Sequence, residues 1–418
     1  MSIVVKLLWF AFVGATGFTS PSHHHKQQHR SKIYNSRIIV VGKIILDKYG
    51  NPEYGVDVDS NVTIGGGGPQ AAWGACASMA TRDLLLIGDS EGEKWERIKV
   101  NRDDAEPPPK QNISFLAPIG TKNWTPEMSD ALNRLLPMLE RPPYLIKSHE
   151  HVTPTINIWH DEKEIVNWKP VNGSFGDEGA GGLWRNRPNA DDILDVIQGY
   201  EGDVSLHAIL EAGSNPTGKG EDALPFFNST LMNRVSTASI EPIVFPDETG
   251  NVSREDANGV ISLIERVEAC ISDSCKQKEQ DKKMLIISPD RPCYDALFLN
   301  RKTKHNNNMH DKKMTEFAVR NGENGSFIND DSLTIPSATL KTFDRKPVNP
   351  TGAGNAYSGA FSACRGSGSS ALEAACLANA VGAVLCEYEH MPPWSWEVLE
   401  RVAEAAIEVR NKVNIDQR

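Results

Sequence analysis

The chain has 418 residues, which is enough for one large α/β domain or two smaller domains. Apolar residues make up 39% of it and charged residues 24%, a composition typical of a soluble globular protein. The formal net charge of −11 argues against nonspecific binding to nucleic acid or to anionic membranes. A local phosphate pocket is still allowed, because it needs only a few hydrogen-bond donors.

Residues 1–35 predict a targeting presequence that precedes the folded domain. Lys6 stands before an apolar run, residues 7–15, which is too short to span a membrane and is typical of a secretory signal peptide. A basic stretch without acidic residues follows at 23–32. This order resembles the bipartite plastid presequence of algae with secondary plastids, which implies a plastid location for a mature form outside any membrane. Simple secretion is the alternative.

The seven cysteines are too few and too scattered for a disulfide scaffold. Cys270 and Cys275 are the only plausible local pair. Cys364, Cys376 and Cys386 lie in apolar helical sequence and predict buried thiols, as expected in a reducing compartment.

Short apolar strands alternate with helical patterns along the rest of the chain. A polar turn between two strand-like pieces, 153–160 and 164–168, predicts a hairpin. The pair Asn258-Gly259 predicts a turn, followed by a helix over 260–270. The alternation implies a mainly parallel sheet covered on both faces. Further strands are predicted near 37–42, 84–89, 206–210, 239–245 and 284–287, and further helices at 71–79, 355–364, 372–385 and 396–413.

One glycine-rich turn predicts an anion site. Gly352, Ala353 and Gly354 open a small, apolar helical stretch, and such a turn leaves backbone N–H groups free at the positive end of the helix dipole. An ordinary capped helix start is the alternative, with Asn349 or Thr351 as the cap.

The stretch 349–359 resembles the C-terminal signature of the PfkB/ribokinase sugar kinase family, Asp/Asn-x-Thr-Gly-Ala-Gly-Asp. The resemblance covers residues 37 to about 390. It implies a ribokinase-like three-layer α/β sandwich over 36–410, with a mainly parallel central sheet and a small β lid near 43–65 and 150–170. It also implies ATP and Mg²⁺ as cofactors and an anion hole at Gly352, Ala353 and Gly354. The family's last signature residue is its catalytic base, whereas this chain has Asn355, and an amide cannot take up a proton near neutral pH.

Other segments resemble family motifs in the same order. On the acceptor side the resemblance implies sugar-binding roles for Asp47, Gly65 and Gly66, and for Gln70 in place of the family's Asn. A solvated loop carboxylate is the alternative for Asp47, which is also the only carboxylate that the sequence suggests near the transferred phosphate.

On the nucleotide side, Gly322 and Gly325 match the family's Thr-x-Gly-x-x-Gly segment, although Arg320 replaces its Thr. Asn379 matches the Asn of the adenine-side helix. Asp290 stands in the family's metal motif and implies a weak, water-mediated Mg²⁺ contact; a turn-forming Asp after proline is the alternative. Simple hairpin and helix-packing roles remain the alternatives for Gly322, Gly325 and Asn379.

Two functions follow from the resemblance. The first is an ATP-dependent carbohydrate kinase that acts on a hydroxyl of a sugar, polyol or nucleoside. The second is a PfkB-fold pseudokinase that binds nucleotide or sugar and acts as a regulatory or scaffold protein. Either could form a homodimer or bind a protein partner through the lid.

Overall fold

A computed structural model describes the residues from 36 to 416 with gaps. The predicted presequence, residues 1–35, lies outside the described residues. The described ranges are 36–49, 62–86, 95–98, 106–160, 166–171, 183, 188–211, 227–244, 252–277, 283–304, 315–329 and 333–416.

A nine-stranded sheet forms the centre of the protein, in the order β15-β14-β13-β12-β11-β10-β1-β6-β7. The seven strands from β13 to β7 pair in parallel, and β14 and β15 add an antiparallel edge. Because parallel strands share one carboxyl edge, the residues that follow them meet on the same side of the sheet. The strands of this sheet are β1 (Arg37–Val41), β6 (Ile113–Gly120), β7 (Tyr144–Ser148), β10 (Val204–Glu211), β11 (Val235–Ile243), β12 (Met284–Ile287), β13 (Thr315–Arg320), β14 (Ser326–Ile328) and β15 (Leu333–Ile335).

Helices cover both faces of the sheet, so the predicted three-layer α/β architecture is confirmed. One core contains Trp73, Phe115 and Phe361 and lies under the helices α1, α2, α7, α8 and α9. The other contains Leu206, Val260 and Phe317 and lies under α3, α4, α5 and α6. These helices are α1 (Gly67–Arg82), α2 (Pro126–Leu135), α3 (Ala190–Val196), α4 (Ser229–Met232), α5 (Arg254–Gln277), α6 (Arg291–Lys304), α7 (Ala353–Gly366), α8 (Ala371–Leu385) and α9 (Trp396–Asp416).

A second, four-stranded sheet has the order β3-β2-β8-β9 and lies in the part of the chain where a lid is expected. Its central pair, β2 and β8, is parallel, and its two outer pairs are antiparallel. We call it the lid sheet. Its strands are β2 (Ile45–Tyr49), β3 (Val62–Gly65), β8 (Thr155–His160) and β9 (Val166–Pro170), and two short strands, β4 (Leu85–Leu86) and β5 (Glu96–Arg97), pair separately.

Two local expectations differ from the structure. Asn258 and Gly259 lie inside α5 rather than in a turn, because Val260, Leu263 and Ile264 of the same helix pack into the second core and outweigh local turn preference. Cys270 is a free thiol that donates to the carbonyl of Phe227 over 3.1 Å, so the suggested local disulfide is absent. Among the described helices, none is long and apolar enough to cross a membrane.

Candidate functional site

A cavity of about 310 Å³ lies beside the lid sheet and collects several of the predicted acceptor-side residues. Asp47, Gly65 and Gln70 line it together with Asn349 and Thr351 of the signature stretch. Residues far apart in sequence therefore share one polar wall. The rest of the wall is mixed in character and includes Ile64, Leu135, Leu385, Tyr388, His390 and Met391.

Asp47 is the main ionisable group that the lid sheet contributes to this cavity. It lies on β2 with 8% of its surface exposed. Its Oδ2 atom is so close to the backbone of β3 that a Cβ atom on Gly65 would lie 1.9 Å away. Burial raises the pKa of Asp47 to about 7, because the charged form loses its hydration. The group can therefore accept or donate a hydrogen bond near neutral pH.

The first residues of α1 carry Gln70 to the signature turn. The Nε2 atom of Gln70 donates to the carbonyl of Thr351 over 3.5 Å. The side-chain amide also packs on Gly352, where a Cβ atom would lie 1.9 Å from the Gln70 Cδ. Gly352 has φ of 85°, in the left-handed region that favours glycine. Both this backbone conformation and the close contact with Gln70 therefore require glycine at position 352.

The N-terminus of α7 is the predicted anion hole. Gly352 is its N-cap and has no side chain that could cap the helix. Just before the helix, the Oδ1 atom of Asn349 accepts a hydrogen bond from the N–H of Thr351 over 2.9 Å. The Ala353 N–H donates to the carbonyl of Pro350 over 3.2 Å and is therefore already used. The N–H groups of Gly354 and Asn355 remain at the first turn, where an α-helix supplies no acceptors of its own.

A buried charged group lies directly behind this turn. Asn355 donates from Nδ2 to Oε1 of Glu241 over 2.9 Å. The same Oε1 accepts from the Nη1 atom of Arg320 over 2.5 Å, and His207 Nε2 lies 3.7 Å from the other carboxylate oxygen. Glu241 and His207 are both 1% exposed or less. Arg320 also borders the anion hole, since a Cβ atom on Gly354 would lie 2.5 Å from its Nη1.

The charge of Glu241 is set by these neighbours. Burial alone raises the pKa of a carboxyl group, but Arg320, His207 and the Asn355 amide together lower the pKa of Glu241 below its ordinary value. The carboxylate is therefore ionised at neutral pH and is matched by the Arg320 cation. A buried ion pair of this kind is strongly destabilised when one partner is removed.

Of the residues predicted on the nucleotide side, Asp290 follows β12, Gly322 and Gly325 follow β13, and Asn379 lies within α8. Asp290 forms a backbone bridge with Arg320, and its Oδ1 accepts from the N–H of Cys293 at the start of α6, as a helix-capping residue does. Gly322 begins a short 3₁₀ turn after β13, and Gly325 ends that turn. Asn379 donates to Ser326 and to the carbonyl of Ala375, so both of its amide protons bind within the protein.

The fit to Mg²⁺ is limited to an indirect contact. No group of three or more His, Cys, Asp or Glu side chains with metal-binding geometry occurs among the described residues. Mg²⁺ in phosphate-transfer sites is held mainly by phosphates, waters and one or two carboxylates. Asp290 alone is therefore compatible with a water-mediated contact, and the Mg²⁺ assignment stays a prediction.

Sequence reasoning missed Glu241 and His207, and it took Asp47 as the only carboxylate near the transferred phosphate. Both missed residues stand inside apolar strands, with Ile240 and Leu206 immediately before them. A charged residue in a buried strand near its carboxyl end is a signal for a functional site. That signal was present, but the pairing with Arg320 joins residues 79 positions apart and cannot be read from local sequence.

Residues 299–391 match the pfkB family carbohydrate kinases. No curated protein matches the chain. Among solved structures, a mutant of phosphofructokinase-2 from Escherichia coli has a TM-score of 0.50 at 12% identity, over 89% of this chain and 99% of that one. This likeness shows the fold.

Two other solved structures are similar over comparable lengths. A nucleoside kinase of the ribokinase family from Methanocaldococcus jannaschii has 16% identity and a TM-score of 0.48, over 88% of this chain and 98% of that one. Arabidopsis thaliana ribokinase, in complex with ribose and ATP, has 13% identity and a TM-score of 0.47, over 88% and 98% of the two chains.

Proposed function

Because residues 299–391 match the pfkB family carbohydrate kinases and the fold is ribokinase-like, we propose that this chain is an ATP-dependent carbohydrate kinase. The reaction would transfer the γ-phosphoryl group of ATP to a hydroxyl of a sugar, polyol or nucleoside. One observation carries the proposal: Asn349 and Thr351 line the acceptor-side cavity and lead directly into Gly352, the N-cap of α7 at the anion-binding turn.

The acceptor would lie in the cavity of about 310 Å³, where Asp47 and Gln70 offer hydrogen bonds to its hydroxyls. This volume fits a molecule of the size of a monosaccharide or a nucleoside rather than a polymer. Ile64, Leu385 and Met391 supply apolar contacts in the same wall.

The phosphates of ATP would lie at the first turn of α7. The free N–H groups of Gly354 and Asn355 point from this turn, and the helix dipole favours negative charge there. Arg320 adds a guanidinium at the same turn, which fits the negative charge of a transferring phosphoryl group. Gly322 and Gly325 follow Arg320 in the chain and form our proposed nucleotide contact, with Asn379 nearby on α8.

Asn355 would hold the acceptor hydroxyl without removing its proton. Because the transition state of phosphoryl transfer is loose, the proton can leave late in the reaction. We therefore expect a kcat lower by roughly 10²–10⁴ than that of an otherwise equal site with a general base.

The second candidate is a pseudokinase that binds nucleotide or sugar without turnover. The observation in its favour is the Glu241–Arg320 ion pair. Glu241 contacts Asn355, and it also competes with a phosphate for the Arg320 guanidinium beside the anion hole.

The experiment is ATP turnover against a panel of sugars, polyols and nucleosides, with nucleotide binding measured in parallel from the shift in melting temperature. We expect turnover with one class of acceptor, and Asp47→Asn should raise the KM for that acceptor at least about tenfold, since it removes a buried hydrogen-bonding group. The control is Asp203→Asn, because Asp203 is exposed and lies just before β10, at the opposite edge of the sheet.

Three results would count against the proposed kinase or its acceptor site. Nucleotide binding without turnover on any acceptor would favour the pseudokinase. Absence of nucleotide binding would contradict both candidates. An equal KM for the Asp47→Asn and Asp203→Asn proteins would contradict the proposed acceptor site.

A further inference from the structure

The buried carboxylate of Glu241 has no role in the kinase reaction proposed above, although it lies directly behind the anion-binding turn and contacts Asn355. Parallel strands bring it there: β11 carries Glu241, and its neighbour β10 carries His207 two residues before the position paired with Glu241. A charge buried to this degree persists only when it is paired and hydrogen-bonded. Arg320 supplies the opposite charge, and Asn355 supplies a hydrogen bond.

This contact fixes the orientation of the Asn355 side chain. An ionised carboxylate only accepts hydrogen bonds, so the group of Asn355 that faces it must be the NH₂. The amide nitrogen also lies against Gly67, where a Cβ atom would be 2.7 Å away. The carbonyl oxygen of the amide is therefore directed away from Glu241 and is available to accept a hydrogen bond from a ligand hydroxyl.

The same contact explains why an amide stands at position 355. An aspartate there would place two carboxylates at about the separation of the observed 2.9 Å contact. Two carboxylates so close cannot both ionise, and they share one proton. An amide at position 355 is therefore compatible with an ionised Glu241, whereas a carboxylate is not. The carboxylate of this pair is Glu241, which lies behind Asn355.

We propose that Glu241 is a positioning residue of this site: with Arg320 as its counter-ion, it holds the Asn355 amide so that its oxygen faces the acceptor hydroxyl. The inference rests on the proposed function for the identity of the ligand. The pairing of Glu241 with position 355 can be tested without any turnover.

The test compares four proteins: wild type, Asn355→Asp, Glu241→Gln, and the double variant. Urea unfolding of each is followed from pH 5 to pH 9. In Asn355→Asp the shared proton must leave as the pH rises, so its unfolding midpoint should fall with pH more steeply than that of wild type, in which Asp47 already causes a fall. The double variant should return to the wild-type pH dependence, because only one carboxylate remains at this contact.

The control is Asn379→Asp, with and without Glu241→Gln. Asn379 is also buried, but its amide binds Ser326 and the Ala375 carbonyl rather than Glu241. In the Asn379→Asp protein we expect Glu241→Gln to leave the pH dependence of the unfolding midpoint unchanged. If Glu241→Gln leaves Arg320 too poorly paired to fold, the variant Glu241→Gln/Arg320→Gln removes both charges and serves in its place. The proposal would be overturned if the unfolding midpoint fell equally with pH in Asn355→Asp and in the double variant.

Kinetics provide the readout that a purely structural role would not change. Glu241→Gln should lower kcat while the KM for the acceptor stays within about twofold, because the amide oxygen is no longer held in one orientation. The double variant should exceed Asn355→Asp in kcat by at least about tenfold, since its single carboxylate is free to act as a base. A kcat for Asn355→Asp equal to or above that of the double variant would overturn the proposal. If none of the four proteins turned over, the proposed function would fail, while the unfolding series would still decide the role of Glu241.

Discussion

The carboxyl group of Asp47 has the clearest consequence for stability at the scale of single residues. Its pKa is raised from 3.8 to about 7 because the group is buried. Between these two values the folded protein keeps a proton that the unfolded chain has released. Stability is therefore lost as the pH rises through this range, by a total on the order of 4 kcal/mol above pH 7.

Asp47→Asn should remove this dependence, since the amide has a similar shape and does not ionise. We expect the variant to be more stable than wild type at pH 8 and about equal to it at pH 4. Urea unfolding at pH 4, 6 and 8 measures the difference, with Asp203→Asn as the exposed control. A difference between Asp47→Asn and wild type that did not change with pH would contradict the assignment.

The residues of the site show how far sequence alone could lead. Asp47, Gly65 and Gln70 were predicted from the family resemblance, and the structure places them around one cavity together with Asn349 and Thr351 of the signature stretch. Their assignment to substrate stays a prediction. The cluster of Glu241, Arg320 and His207 was not predicted, because each charge is explained only by partners on other strands.

At the scale of elements, the crossing of α1 over α7 is the closest contact between two helices of the site. A Cβ atom on Gly74 would lie 2.1 Å from the carbonyl oxygen of Ala356, and one on Gly359 would lie 2.1 Å from that of Ala71. Real Cβ atoms do not approach backbone atoms so closely. The two backbones can therefore touch only because glycine stands at both positions.

We expect Gly74→Ala to destabilise the protein by about 1–3 kcal/mol, because the added methyl group must push the two helices apart. The better helix propensity of alanine, worth about 1 kcal/mol, offsets only part of this cost. Gly382→Ala in α8 is the matched control, since its Cβ would lie 3.3 Å from the nearest atom, the Ala353 carbonyl oxygen. Denaturant unfolding measures both, and a Gly74→Ala protein as stable as Gly382→Ala would contradict this packing.

The elements themselves were predicted well where apolar periodicity was strong. The expected helices at 372–385 and 396–413 correspond to α8 and α9. The helix expected from residue 71 begins at Gly67, because the Gly68 N–H donates to the carbonyl of Lys43 and draws the glycines into the first turn. Local preference could not show this, since glycine is a poor helix former and the contact comes from another segment.

At the scale of the whole molecule, the two cores enclose most of the described thiols. Cys76, Cys293, Cys364 and Cys376 are buried free thiols, and Cys386 is partly buried. Burial raises the pKa of Cys293, Cys364 and Cys376 to about 12, so the reactive thiolate is scarce at neutral pH.

We expect iodoacetamide at pH 7.5 to modify these three cysteines only when the protein unfolds. Peptide mass spectrometry after timed labelling measures the rate at each site, and the same labelling in denaturant gives the control for full exposure. A saturating ligand should slow the reaction, because binding to the folded state stabilises it. Labelling of Cys364 in the native protein at the rate found in denaturant would contradict the burial of its thiol.

The overall architecture was the most predictable property of the chain, because alternating strands and helices leave few ways to build a parallel sheet. The antiparallel edge, β14 and β15, depends on pairing that the sequence shows only weakly. The use of the lid sheet as a contact surface between two copies stays a prediction, which the mass in solution would test.

The contact between α1 and α7 also limits how this protein can work. Helix α1 carries Gln70 on the acceptor side, and α7 carries the anion-binding turn. Since these helices touch backbone to backbone, neither can slide or tilt without breaking the core. The distance between the two halves of the site is thus set when the chain folds rather than when ligands bind. Any adjustment to acceptors of different size must come from the lid sheet and the cavity walls.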